Sequence, residues 1–217
     1  MLTRDDQTVE NCLELVDIAS NSGVTHMGFK DVGVDRETLR KLNGRIKRAG
    51  ATSYMEVVST TKEVCLASAR TARNIGVDRL LGGTHVEAML ALLEGSGIAY
   101  YPFPGRPQGH PTRLAGDAAD VAADCRRLEA CGSAGVDLLA YRALDAEPLD
   151  LIRAARDSTG GALVVAGSID SPARIRDIAA AGCDAFTIGG AALDGSFSPR
   201  KGSLQLQLCD ILAACYD

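Results

Sequence analysis

Apolar and polar positions along this chain follow two periods that succeed one another with regularity. From Thr38 to Ala49, Leu39, Leu42 and Ile46 recur at helical spacing while Arg40, Lys41, Arg45 and Lys47 take other positions, which predicts an amphipathic helix. Segments of this kind end at glycine and pass into a short apolar run, at Gly23-Val24, Gly50-Ala51, Gly76-Val77, Gly97-Ile98, Gly135-Val136, Gly161-Ala162 and Gly182-Cys183. Glycine suits the left-handed position that stops a helix, so each junction reads as a helix end leading into a strand. The runs themselves are His26 to Val32, Ser53 to Val58, Arg79 to Gly83, Ala99 to Phe103, Leu138 to Ala143, Leu163 to Ile169 and Ala185 to Gly190. Most are nearly continuously apolar, which predicts strands buried on both faces, as in a parallel sheet.

An eighth strand has to precede the first helix, which is expected to start near Thr8 with Leu13, Val16 and Ala19 on one face. Met1-Leu2-Thr3 remain for it, so strand one is read as short or truncated, with the natural start of the chain upstream of Met1. Eight strands alternating with eight helices predict one α/β domain over residues 1–217, a (β/α)8 TIM barrel. The rival is an open doubly wound sheet, but no GxGxxG follows the first strand. Pro104 to Gly116 is the one long loop expected after a strand.

Composition narrows the function classes. A net charge of -5 with no long Lys/Arg run gives no electrostatic footprint for nucleic acid or an anionic membrane. No apolar run of spanning length occurs, and acidic residues stand where a leader would be apolar, so a cytoplasmic location is expected. Seven cysteines without CxxC pairs read as small reduced core residues. His26, His85 and His110 lie on different elements without metal-ligand spacing, so no metal site is predicted, although acidic strand ends are compatible with Mg2+ beside a phosphate. No redox cofactor is expected. Leu204, Leu206, Leu208, Ile211 and Leu212 make a stripe that permits a homo-oligomer but reads first as core packing.

In a barrel, chemistry sits at the C-terminal ends of strands and in the loops that follow. That rule selects Thr3, Arg4 and Asp5, Lys30 and Asp31, Glu56, Thr84 and His85, Arg106, Tyr141 and Arg142, Gly167 and Ser168, and Gly189 and Gly190. In Leu163-Val-Val-Ala-Gly-Ser-Ile-Asp and Ala185-Phe-Thr-Ile-Gly-Gly-Ala-Ala, Gly167, Gly189 and Gly190 allow backbone N–H groups to approach an anion, and Ser168 adds a hydroxyl. The same glycines also suit plain tight turns.

Through these two segments the chain resembles the ribulose-phosphate-binding barrel superfamily, which includes histidine- and tryptophan-biosynthesis barrels and sugar-phosphate isomerases and lyases. The resemblance implies that Gly167, Ser168, Gly189 and Gly190 hold a substrate phosphate. Detailed agreement is confined to about residues 163–195. The decarboxylase branch carries Asp-x-Lys-x-x-Asp on an early strand, whereas this chain has Gly28-Phe29-Lys30-Asp31-Val32-Gly33, so that mechanism does not carry over.

Lys30 is one of five lysines and ends an apolar strand, where desolvation would lower its proton affinity. Neighbouring strand residues face opposite sides, so Lys30 and Asp31 should not share a pocket. Glu56, a lone carboxylate between apolar residues, needs a partner, and Lys30 on the adjacent strand is the natural one. The reading that follows is an enzyme, an isomerase, epimerase or lyase, acting on a small phosphorylated sugar or sugar acid by cofactor-independent acid–base chemistry. Lys30, Glu56 and Arg142 are its catalytic candidates, with Arg4, Asp31, His85 and Arg106 as further pocket residues. The alternatives are a Schiff-base aldolase using Lys30 and a non-catalytic regulatory protein that binds a phosphorylated ligand.

Overall fold

The computed structural model describes residues 1–216. The chain begins with a hairpin, β1 (Thr3–Arg4) and β2 (Gln7–Thr8), and then alternates. In order follow α1 (Cys12–Asn21), β3 (His26–Lys30), α2 (Arg36–Arg48), β4 (Thr52–Val57), α3 (Lys62–Ile75), β5 (Arg79–Gly82), α4 (Val86–Leu93) and β6 (Ala99–Tyr101). A second hairpin, β7 (Arg106–Gln108) and β8 (Arg113–Ala115), leads to α5 (Ala118–Ala130), β9 (Gly135–Leu138), a 3-10 turn (Ala140–Arg142) and α6 (Pro148–Arg156). The chain ends through β10 (Ala162–Val165), α7 (Pro172–Ala180), β11 (Ala185–Phe186), α8 (Gly190–Leu193) and α9 (Leu204–Ala214).

Strands β3-β4-β5-β6 form one parallel sheet and β9-β10-β11 another. Hydrogen bonds join the two into a ring. The Ala134 and Asp137 amides donate to the carbonyls of Tyr100 (2.9 Å) and Pro102 (3.0 Å), linking β9 to β6. On the other side Leu2 N donates to Gly28 O at 2.7 Å, and the Met1 nitrogen donates to Ile188 O at 2.7 Å. Residues 1–2 therefore act as the first of eight staves, in the place expected for strand one, and the fold is a TIM barrel.

Alternation along the staves sorts the core into two parts. Phe29, Met55, Leu80, Val136, Leu138, Leu163 and Val165 point outward into the packing between sheet and helices. Leu81, Tyr101 and Val164 fill the lumen with Tyr54, Ala99 and Ala162. The N-terminal end of the lumen is closed by Arg79, whose guanidinium lies 5.5 Å from the Tyr54 ring centre and 5.7 Å from that of Tyr101. It also donates to Tyr101 Oη at 2.9 Å, while His26 bonds Tyr54 Oη at 2.8 Å. The opposite end remains for the site.

Four expectations are corrected. The first helix starts at Cys12, because Gln7–Thr8 pair back on Thr3–Arg4. The sixth stave is Gly135–Leu138 and not Leu138 to Ala143: α5 has already stopped by Gly132 at φ 95, and Gly135 is a strand residue whose Cβ would lie 2.0 Å from Ala162 O. The Pro104 to Gly116 segment is an ordered hairpin rather than a plain loop. Helix α8 is an additional element after β11. In the last helix Leu206 is exposed while Gln207 is buried, accepting from Ser198 N at 2.8 Å and donating to Ser198 O at 2.9 Å. No helix among the described residues is long and apolar enough to cross a membrane.

Candidate functional site

The site grows from the β1–β2 turn. Asp5 and Asp6 are its two central residues, at φ 49° and 58°, and neither is a glycine. A two-residue hairpin turn with both φ positive matches strand twist, but costs a residue with a Cβ on the order of 1 kcal/mol or more. Asp6 is held there by what its carboxylate reaches. One oxygen accepts from Lys30 Nζ at 2.7 Å; the other accepts from Arg142 Nη1 at 2.8 Å and from Thr112 N at 3.2 Å.

Lys30 ends β3 and is 5% exposed. Thr8 fixes its backbone, accepting from Lys30 N and donating to Lys30 O, both at 2.8 Å. Its ammonium lies 3.0 Å from Glu56 Oε1 as well as against Asp6. Burial alone would lower its pKa, but the two carboxylates outweigh that and raise it. The expected loss of proton affinity is thus reversed, because desolvation is more than matched by two acids. Burial would likewise raise Asp6, yet the Arg142 hydrogen bond and the Lys30 charge hold its carboxyl well below the usual range.

Asp137 behaves in the opposite way. It lies on β9 with neighbours Val136 and Leu138 turned outward, is fully buried, and neither of its oxygens has a hydrogen-bond partner. Burial pushes its carboxyl well above the ordinary range and the Glu56 charge adds to this, with Lys30 and Arg142 opposing. The two acids are thus shifted in opposite directions. In enzymes such divergence marks division of acid and base roles.

Arg142 comes from the 3-10 turn after β9, and its side chain lies over Gly167: a Cβ there would be 2.4 Å from Arg142 Nε. Gly167 is at φ 79° and Ser168 at φ 59°. Gly189 is held against the first hairpin, where a Cβ would meet Thr3 O at 2.7 Å. The backbone N–H groups of Gly167, Ser168, Gly189 and Gly190 are not taken up by hydrogen bonds among the described residues.

Asp6, Lys30, Glu56, Arg142 and the four glycine-segment residues share one cavity of about 540 Å³ at the C-terminal end of the barrel, with Asp137 buried outside its lining. Arg4, Lys30, Glu56, Arg142, Gly167, Ser168, Gly189 and Gly190, all singled out from the sequence, line it. Three further expected pocket residues do not. Asp31 faces the other side of β3, bonded to Ser68 Oγ and to Val58 N (3.2 Å), as alternation required. His85 precedes α4 with its ring 3.2 Å from Thr60 O, and Arg106 is drawn off to Asp120 at 2.7 Å on the outer side of the second hairpin.

Sequence reasoning missed Asp6 and Asp137. The only trace of Asp6 was its place beside Asp5 just after the first strand; Asp137 was hidden by starting stave six too late. Among the described residues no group of three or more His, Cys, Asp or Glu side chains is placed to hold a metal ion.

No family model matches the chain, and no curated protein does. Solved structures do resemble it. A chain of the Amycolatopsis orientalis BexX/CysO complex is 19% identical over 98% of this chain and 88% of its own, with a TM-score of 0.64. 3-Hexulose-6-phosphate synthase is 18% identical over 94% and 93%, with a TM-score of 0.66. The native KDPGal structure is 11% identical over 95% and 87%, also at 0.66. At these identities the likeness establishes the barrel and leaves the chemistry to the residues.

Proposed function

We propose that this protein is an enzyme that acts on a small phosphorylated sugar or sugar acid by acid–base chemistry, without a redox cofactor. Gly167, Ser168, Gly189 and Gly190 receive the phosphate through backbone N–H groups and the Ser168 hydroxyl. At the other end, Glu56 removes a proton from a carbon next to a carbonyl, and the Lys30 ammonium supports the charge that develops on the oxygen. Asp6 holds that ammonium in place, and Arg142 donates to the other oxygen of Asp6. The observation that carries the reading is that one cavity holds both the glycine pair of segments and the buried Asp6–Lys30–Glu56 cluster.

The neighbours named above include a synthase of a phosphorylated hexulose, which agrees with a phosphorylated substrate, and both isomerisation and carbon–carbon cleavage fit the same groups. A Schiff base on Lys30 is the less favoured step, since two carboxylates keep its amine protonated.

Two measurements test the proposal. A phosphorylated ligand at a hundredfold its Kd should stabilise the fold by about 2.7 kcal/mol, roughly 5–10 °C in Tm for a chain of this size. In D2O, a panel of phosphorylated aldoses, ketoses and sugar acids should reveal a compound whose proton beside the carbonyl exchanges; Glu56→Gln should abolish the exchange and keep the phosphate-induced Tm shift. No shift with any phosphorylated compound would overturn the phosphate site. A shift without exchange or turnover would favour a regulatory binding protein. Borohydride trapping of a carbonyl compound on Lys30 would move the chemistry to a Schiff base.

A further inference from the structure

Four cationic side chains line the cavity: Arg4, Lys30, Arg113 and Arg142. Two are committed to acids: Lys30 is bound by Asp6 and Glu56, and Arg142 by Asp6. Arg4 is exposed, has no ion pair among the described residues, and donates to the carbonyl of Leu193, the last residue of α8, at 3.2 Å. Arg113 has no ion pair and no side-chain hydrogen bond with any of the described residues.

The backbone that carries Arg113 is fixed from both sides. Thr112 is buried; its amide donates to Asp6 Oδ2 at 3.2 Å and its carbonyl accepts from Arg142 at 3.3 Å. Leu114 is buried as well, and its carbonyl accepts from Leu144 N at 2.9 Å. Alternation along β8 then turns Arg113 away from these two anchored neighbours. The hairpin follows β6, the fifth stave, while Asp6 follows the first. Staves one and five are diametrically opposed in a ring of eight, so the Thr112–Asp6 bond carries the hairpin across the mouth as a roof. The Arg113 side chain itself is exposed and held by no contact among the described residues, but its backbone is anchored at the rim of the cavity it lines, and the planar fork of a guanidinium matches a carboxylate or a phosphate.

We propose that Arg113 forms a second anion subsite, so that the ligand carries a phosphate at the glycine end and a further anionic group, a carboxylate or second phosphate, under the β7–β8 roof. This rests on the phosphate reading above and narrows it to doubly anionic ligands. Asp5, also in the lining and without an ion pair, is the internal competitor for Arg113.

Titration calorimetry on the full chain tests it with matched probes. Glycerol 3-phosphate is compared with 3-phosphoglycerate for a carboxylate, and fructose 6-phosphate with fructose 1,6-bisphosphate for a second phosphate. In one pair the doubly anionic member should bind at least about tenfold more tightly, the scale of a charge-assisted bidentate contact. Arg113→Gln should erase that ratio and leave the affinity of the singly anionic member within about twofold, and Arg113→Lys should recover part of the ratio. Binding without such a ratio, or a ratio that survives Arg113→Gln, overturns the second subsite and leaves the first. A loss of stability in Arg113→Gln with the ratio intact assigns Arg113 to Asp5 and overturns it too. If no probe binds, inorganic phosphate included, the phosphate reading fails and this inference with it.

Discussion

Asp6 and Asp137 show how two chemically identical side chains in one lumen are driven apart by their partners. Asp6 has two cations and a backbone amide; Asp137 has burial and the Glu56 charge. Because burial raises the Asp137 carboxyl well above its unfolded value of about 3.9, Asp137 costs stability as pH rises from there toward its folded value. The slope is at most about 1.4 kcal/mol per pH unit. Asp137→Asn removes this slope, so its stability relative to the native protein should rise between pH 5 and pH 8 in urea titrations; parallel curves would show that Asp137 is ionised in the fold. Asp6 has the opposite sign. Its contribution is complete above the unfolded pKa and is lost as pH falls through the lowered folded value, and Asp6→Ala at neutral pH should cost up to about 3–5 kcal/mol, because Arg142 loses its acid and Lys30 keeps Glu56 alone. A loss below 1 kcal/mol in the same titrations would mean that solvent already screens the cluster. Lys30 and Glu56 were legible in the sequence because a charge at the end of an apolar run has one plausible direction. Asp6 was not, since its role depends on a turn conformation that Asp-Asp seldom adopts.

The elements around the mouth work because each fixes a side chain of its neighbour. The 3-10 turn after β9 delivers Arg142, Gly167 leaves the space it crosses, and the second hairpin takes the remaining bond through Thr112. Gly167→Ala therefore combines a left-handed backbone strain with a Cβ only 2.4 Å from Arg142 Nε. The expected cost is about 1–3 kcal/mol in thermal or chemical denaturation, with weaker binding of inorganic phosphate. A neutral result would mean that Arg142 swings clear at no expense. Helix and stave order were legible from periodicity, because glycine stops and apolar runs are local signals. The boundary of β9 and the second hairpin were not. A strand with a buried aspartate inside it breaks the apolar pattern, and a Pro- and Gly-rich segment is written alike whether it is a free loop or an anchored hairpin.

At the scale of the whole molecule the ring depends on three narrow joins, where pairing is shorter than within either sheet. Residues 1–2 bridge β3 and the end of β11 with one backbone bond recorded on each side, and the amides of Ala134 and Asp137 bridge β9 to β6. If these joins were incidental, the molecule would be two parallel sheets leaning together, and their amides would exchange with solvent through local opening. In a closed barrel they break only when the ring breaks, because opening one join exposes the unpaired edges of two staves and the lumen between them. Native-state hydrogen exchange should therefore place the amides of Leu2, Ala134 and Asp137 in the same high-protection class as those of β4 and β5. Exchange at these three positions faster by more than about 2 kcal/mol of opening free energy would mean that the barrel is an open pair of sheets under native conditions. The site would then lose its geometric basis, since Asp6 stands beside the two joins made by residues 1–2 and Asp137 lies within the β9–β6 join, and their common approach to Lys30 and Arg142 requires all three to be closed.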